Sequence, residues 1–336
     1  MFGSLFRFFR REPRQQPVER EPNSGKQQLR LGLALSSGGA RGLAHVGVLQ
    51  VLEENGIEVH AIAGSSMGGY IGALWAAGFS GKKLEELAAE MQDRRTIWKL
   101  ADPIIPPVKG LFRGLKAKAH LEKSLGDLHF EDLKRQLLLV TVDIDTKERV
   151  ILREGKLSDA VHASCAMPGI IAPVLLNGRY CVDGGVVDPV PVGVLRKYSD
   201  VDKVIAVSVV PTFEQIEAGG GAKPPRKAEG NIARRLLRGI NGHINLLAPG
   251  NALDIFRQSI RAAQIRIAHD SVKGADLCLR PEHFFSPWHN YSEYGRFIEA
   301  GRKVALEHLD EIRALVRVES ETHEKPSNNM VGELVA

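Results

Sequence analysis

Cysteine is scarce in this chain. Three residues, Cys165, Cys181 and Cys278, cannot all pair and lack metal-ligand spacing, so neither a disulfide framework nor a zinc site is expected. The thiols read as reduced, in a cytoplasmic-type compartment. The N-terminus does not read as a secretory signal, because no sustained apolar run follows its basic residues. Long apolar runs of membrane type are also lacking. The stretches 59–81 and 160–178 carry no Asp, Glu, Lys or Arg, but the first holds six glycines and three serines and the second holds Pro168 and Pro173. Turn-rich soluble structure fits them better than a lipid-facing helix. Excess charge is absent from most of the chain. Of the net +5, residues 1–30 hold +4, from seven basic and three acidic residues, so a nucleic-acid-binding surface is not indicated. No internal repeat is present.

What the chain does have is glycine. There are 34 in 336 residues, about a tenth, against a usual share of roughly 7%. Apolar and charged fractions of 43% and 25% are those of a globular protein long enough to bury a core. The glycine excess therefore points to tight turns and close packing.

Residues 1–14 read as an amphipathic helix. Phe2, Leu5, Phe6 and Phe9 take one face; Arg7, Arg10, Arg11 and Arg14 take another. Residues 12–28, rich in Glu, Gln, Pro and Arg, read as a linker. From residue 29, apolar strands alternate with helical patterns. Strands are expected at 29–35, 60–63, 136–143, 149–153 and 203–210, with a hairpin of 174–176 and 180–182 around Asn177-Gly178. Helices are expected after each glycine turn, over 82–92 and over 157–167. Strand–helix alternation with apolar strands implies a mostly parallel sheet covered on both faces, a three-layer α/β/α architecture. Residues 101–115 and 211–230 read as loops, the latter mobile. Helix faces follow at Ile232, Leu236, Ile240, Ile244 and Leu247, beside Arg234, Arg235 and Arg238, and at Leu253, Phe256, Ile260, Ala263 and Ile267. A last strand over 275–279 and a last helix over 291–315 complete the main domain, 29–315. The polar tail 316–336 reads as disordered.

Two glycine-rich turns each follow a strand and open a helix. Gly64-Ser65-Ser66-Met67-Gly68 fits G-x-S-x-G, which places Ser66 on a sharp strand-to-helix turn with its hydroxyl exposed. The other, Ser36 to Gly42, offers backbone N–H groups at a helix start, where an oxyanion or a phosphate can sit. It lacks the first glycine of G-x-G-x-x-G and an acidic ribose ligand at the end of a second strand, so the oxyanion reading fits better beside Ser66. Arg41 is the cation of this turn. Asp183-Gly184-Gly185 forms a third sharp turn, whose carboxylate could serve as a base. His45 reads as packed on its helix, and His162 lies on another. His283 and His289 sit in a late loop, where an ordinary Ser-Asp-His hydrolase keeps its base. The residues alone leave the base open between Asp183 and a late histidine. Asp143 and Asp145 read as solvated strand-end residues, with no further metal-ligand cluster around them.

The glycine turn with Arg41, the G-x-S-x-G turn and the Asp-Gly-Gly turn occur in one order, with Ser164-Cys-Ala-Met-Pro-Gly-Ile-Ile-Ala-Pro173 between the last two. Together they resemble the patatin-like phospholipase family in its single-domain bacterial form. The similarity runs from about Leu29 to Val210 and more faintly to about residue 313. The resemblance implies a Ser66–Asp183 dyad, an oxyanion loop of Gly38, Gly39, Ala40 and Arg41, and motif glycines Gly42, Gly64, Gly68, Gly184 and Gly185. It implies no metal and no cofactor. One departure is Ser37, where the family has glycine. The expected activity is hydrolysis of lipid acyl esters, of phospholipase A or lysophospholipase type. The rival readings are a membrane-recruited partner protein with a silent hydrolase fold and a nucleotide-binding oxidoreductase. The expected location is cytoplasmic, held peripherally at an anionic membrane surface by residues 2–14. Oligomeric state and head-group preference are not legible.

Overall fold

The computed structural model describes residues 29–218, 251–282 and 287–317. The expected amphipathic segment 2–14, the linker, the helix over 232–247, His283 and all but the start of the tail lie outside them. Eight strands form one sheet: β1 (Leu31–Leu35), β2 (Ala61–Ser65), β3 (Gln136–Asp143), β4 (Arg149–Leu152), β5 (Val174–Leu176), β6 (Arg179–Asp183), β7 (Lys203–Val207) and β8 (Leu277–Leu279). Their hydrogen-bonded order is β5-β6-β3-β2-β1-β7-β8, with β4 paired to β3. The run β3-β2-β1-β7-β8 is parallel, while β4, β5 and β6 join antiparallel.

The central parallel strands are mostly apolar because both sheet faces are covered there, and successive residues feed opposite layers. Leu31, Leu33 and Leu35 of β1 enter one core cluster with Leu137, Leu139, Ile205 and Val207. Ala34 enters the other with Leu138, Val140, Val204 and Ala206. The first layer is capped by α1 (Ala44–Glu54), α2 (Met67–Ala76), α3 (Gly81–Glu90), α5 (Leu115–Leu125) and α6 (Leu157–Ser164). The second holds α7 (Val192–Tyr198) and α9 (Ala252–Ser271). The short α4 (Arg94–Leu100) and α8 (Phe213–Ala218) lie between them in sequence, and α10 (Tyr294–Glu307) and α11 (Leu309–Val316) close the described chain. The three-layer, mostly parallel architecture is thus as expected from the sequence.

The C-terminal helices belong to the same body. A side chain on Gly47 of α1 would overlap the backbone of Ile298, and one on Gly301 of α10 would overlap Ala44. Glycine on both surfaces lets α1 and α10 cross in backbone contact, and Phe297 and Ala305 bury completely beside them.

Several local expectations need correction. The loop read over 101–115 is flanked by α4 and entered by α5, neither of which the periodicity indicated. The single helix read over 291–315 breaks at His308. There φ and ψ are −107° and 16°, and the ring Nδ1 turns back to the Val304 carbonyl at 2.9 Å. Within 211–230, residues 213–218 are helical. The face read on α9 is also displaced. Phe256 is 49% exposed, whereas Ile265 and Ala268 are buried. One side of α9 borders a pocket rather than core.

Candidate active site

β2 delivers Ser66 to the site. The chain must leave the sheet after Ser65 and start α2 at Met67, and the turn holds Ser66 at φ 53° and ψ −124°. Such a conformation costs on the order of 1–3 kcal/mol in a residue with a side chain. The flanking glycines make it possible. A Cβ on Gly64 would lie 2.6 Å from Gly69 N, and one on Gly68 would overlap the Leu35 carbonyl. Polar bonds then fix the turn. Ser66 N–H donates to Ser164 Oγ at 3.2 Å, and Ser164 Oγ donates to the Val140 carbonyl at 2.7 Å. Ser65 Oγ donates to the Asp188 carbonyl at 2.6 Å.

β6 delivers Asp183 to the same place through the register on β3. Val140 pairs with Ser65 of β2 and Ile151 of β4; Thr141 pairs with Asp183 of β6 and Val150 of β4. A strand residue has one neighbour on each side, so β2 and β6 share one side of β3 and meet end to end. Their last residues stand opposite consecutive residues of β3. Ser66 Oγ consequently donates to Asp183 Oδ2 at 2.6 Å, and Gly185 N–H donates to Oδ1 at 2.7 Å. Asp183 is 4% exposed. Burial raises its pKa to about 6, against the pull of the bonds from Ser66 and Gly185.

The third turn arrives from β1. Residues 39–43 form a 3-10 turn that begins with Gly39 at φ 59°. Ser37, the departure from the family pattern, keeps an ordinary negative φ and donates its N–H to the Pro189 carbonyl at 2.9 Å. Of the expected oxyanion loop, Ala40 N–H instead donates to the Trp288 carbonyl at 2.7 Å. Gly38 and Gly39 N–H have no acceptor among the described residues. Trp288 thus covers one donor and leaves two. Arg41 is 7% exposed and its Nε donates to the Gly38 carbonyl at 3.4 Å, so it is no surface residue.

These parts border one pocket of about 850 Å³, counting its open mouth. Its floor includes Gly38, Ser66 and Asp183, and α9 forms a wall with Arg257, Arg261 and Gln264. Gln264 Nε2 donates to the Gly185 carbonyl at 2.9 Å and ties α9 to the Asp183 turn. Sequence reading missed Ser164, Arg257, Arg261, Gln264 and Trp288. The i, i+4, i+7 spacing of Arg257, Arg261 and Gln264 marks a polar helix face and was the available signal.

The histidines take other places. His45 is fully buried, its Nε2 lies 2.9 Å from the Ser36 carbonyl, and burial lowers its pKa to about 4. It is a neutral packing residue beneath the glycine turn. His162 Nε2 contacts the Arg113 carbonyl at 3.2 Å, and His289 sits edge-on to Trp288 with ring centroids 5.3 Å apart. Asp143 is not solvated. It is 3% exposed, accepts from Asp145 N–H at 2.9 Å and pairs with Arg179 at 3.4 Å, closing the β3–β4 turn. Among the described residues, no three His, Cys, Asp or Glu side chains gather as metal ligands would.

Comparison with known proteins bears on this arrangement. Residues 33–196 match the family described as patatin-like phospholipase. The chain is 36% identical over 236 residues to an NTE family protein of Mycobacterium bovis, covering 68% of this chain and 62% of that one. It is 33% identical over 166 residues to lysophospholipase NTE1 of Candida glabrata, covering 48% of this chain and 9% of that one. Among solved structures, VipD from Legionella pneumophila matches with a TM-score of 0.45 and 14% identity, covering 84% of this chain and 67% of VipD. The matches span less than two thirds of the length of these curated relatives. The segment 33–196 contains all three glycine-rich turns that meet at Ser66, and it is this segment that matches the patatin-like phospholipase family.

Proposed function

We propose that this chain hydrolyses acyl esters of membrane lipids, as a serine hydrolase of the phospholipase A or lysophospholipase type. The observation that carries the reading is the 2.6 Å bond from Ser66 Oγ to a buried Asp183 at the floor of an open pocket. Ser66 is the nucleophile, strained on its turn with its hydroxyl aimed at the base. Asp183 accepts the hydroxyl proton as Ser66 Oγ attacks the ester carbonyl. Its raised pKa brings a carboxylate closer to the basicity this step needs. Negative charge on the former carbonyl oxygen is met by the N–H groups of Gly38 and Gly39 at the start of the 3-10 turn. The proton on Asp183 goes to the departing alcohol. Water then attacks the acyl-serine, returns a proton through Asp183 to Ser66 and releases the fatty acid.

The basic, phenylalanine-rich segment 2–14 is proposed to hold the enzyme at an anionic membrane surface, where its substrate lies. Among the described residues, no helix is long and apolar enough to cross a membrane.

The test is incubation of the full chain with micelle-free lysophospholipids and diacyl phospholipids, with fatty-acid release followed by mass spectrometry. Release by the wild type and none by Ser66→Ala is expected, together with fluorophosphonate labelling of Ser66. Labelling without turnover of any lipid ester supports the silent-fold reading instead. Turnover that survives Ser66→Ala overturns the assignment of the nucleophile.

A further inference from the structure

We propose that Arg257 and Arg261 of α9, together with Arg41, form a subsite for an anionic phosphate head group. The favoured substrates are then acyl esters of glycerol phosphate type rather than choline lipids. The inference rests on the acyl hydrolase reading and narrows its substrate class.

Three guanidinium groups border the same pocket as Ser66. Arg257 and Arg261 are four residues apart, so one face of α9 presents both. Arg41 comes from the 3-10 turn. Among the described residues, Asp183 is the only carboxylate on the pocket wall, already bonded to Ser66 and Gly185. Asp254 pairs with Arg257 at 3.7 Å. Arg261 has no ion-pair partner among the described residues. The indole N–H of Trp288, in the same wall, is buried and also lacks an acceptor among them.

Like charges this close disfavour one another. The Arg41 guanidinium is held down to about 9, first by burial and then by Arg261; Arg261 is lowered by burial and then by Arg257. Each stays protonated at neutral pH, so the pocket carries positive charge that favours an incoming anion. Phosphate suits this set, because its several oxygens can take paired N–H donors from more than one arginine.

The same walls are poorly suited to choline. A quaternary ammonium is held by carboxylates or by an open aromatic face. The face of Trp288 is already covered by the Arg257 guanidinium, 4.8 Å from the ring centroid. A trimethylammonium group placed there would instead meet the arginine charges.

Binding of octyl phosphate and octyl phosphocholine, both below their micelle concentrations, is measured by titration calorimetry on the full chain. Octyl phosphate is expected to bind at least about tenfold more tightly. That advantage should vanish in Arg257→Gln/Arg261→Gln and persist in part in Arg257→Lys/Arg261→Lys, which shows that charge rather than folding is read. Inorganic phosphate alone should bind far more weakly than octyl phosphate. Equal affinity for the two amphiphiles, an advantage that survives the double glutamine variant, or equal binding of inorganic phosphate each overturns the proposal. Hydrolysis of 1-acyl glycerol phosphate beside 1-acyl glycerophosphocholine separates the two levels. A chain that binds octyl phosphate selectively but cleaves neither ester keeps the subsite and loses the hydrolase reading. One that cleaves both equally keeps the hydrolase reading and loses the subsite.

Discussion

Ser66 and Asp183 lie 117 residues apart in sequence, yet share a 2.6 Å hydrogen bond because β2 and β6 end against neighbouring residues of β3. The Ser66–Asp183 distance is thus a property of sheet register. A slip of one residue would turn both strand ends to the wrong face.

The first prediction concerns the base. Asp183→Asn should lower kcat/KM on a soluble ester by at least about a thousandfold, and adding Ser66→Ala should cost little more, since the two act as a unit. In the wild type, kcat/KM should fall as pH drops through about 6, where Asp183 gains its proton. Stopped assays across pH check both. A flat acid limb with Asp183 intact would remove it as the base.

The same residue predicts a change in stability. Its pKa is raised from 3.8 to about 6 by burial, so the folded state binds this proton more tightly than the unfolded chain does. The favourable contribution is complete below about pH 4 and is lost as pH rises through about 6. Asp183→Asn removes the buried charge and should raise Tm above that range, by at most about 3 kcal/mol of stability. The difference should disappear in acid. Calorimetric scans at several pH values decide it.

Ser164 is predicted to position the nucleophile without touching substrate. Its hydroxyl accepts from Ser66 N–H and donates to the Val140 carbonyl, with no solvent access. Ser164→Ala leaves both groups unpaired and should cost about 1–3 kcal/mol by denaturant titration. It should also lower kcat more than it raises KM. Unaltered kcat would leave Ser164 a purely structural residue.

Gly39→Ala probes the contact between Trp288 and the glycine turn. The new methyl would stand 2.5 Å from the Trp288 carbonyl oxygen, at a φ of 59°. The backbone conformation alone should cost roughly 1–2 kcal/mol. Trp288 must move, so its fluorescence should shift and turnover should fall. A variant with wild-type fluorescence and rate would contradict this geometry.

Removing residues 1–14 tests the membrane segment. Four arginines near an anionic surface are worth about 1 kcal/mol each, so the truncated chain should bind anionic vesicles much more weakly at low salt. Hydrolysis of a soluble short-chain ester should persist. Equal co-sedimentation of truncated and full-length chains would sink the anchor.

The amino-acid sequence by itself determined those features that depend on local backbone and periodicity. Apolar strand runs called for a sheet covered on both faces. Gly64 and Gly68 marked the turn that aims Ser66, because no side chain fits where α2 starts against β1. Asp183-Gly184-Gly185 marked another sharp turn, but spacing left the base open between Asp183 and a late histidine, and only the family resemblance chose between them. Tertiary structure decided the rest. Register on β3 brings Asp183 to Ser66, and burial raises its pKa. The Trp288 carbonyl occupies Ala40 N–H across nearly the whole chain, a pairing with no local signature. Arg257, Arg261 and Gln264 repeat at helical spacing like any solvated face. They become pocket residues because Ile265 and Ala268 pack α9 on the sheet and Gln264 ties it to the Gly185 carbonyl. Residue types and spacings specify which conformations a segment can adopt, whereas burial and charge proximity depend on which distant segment packs against it.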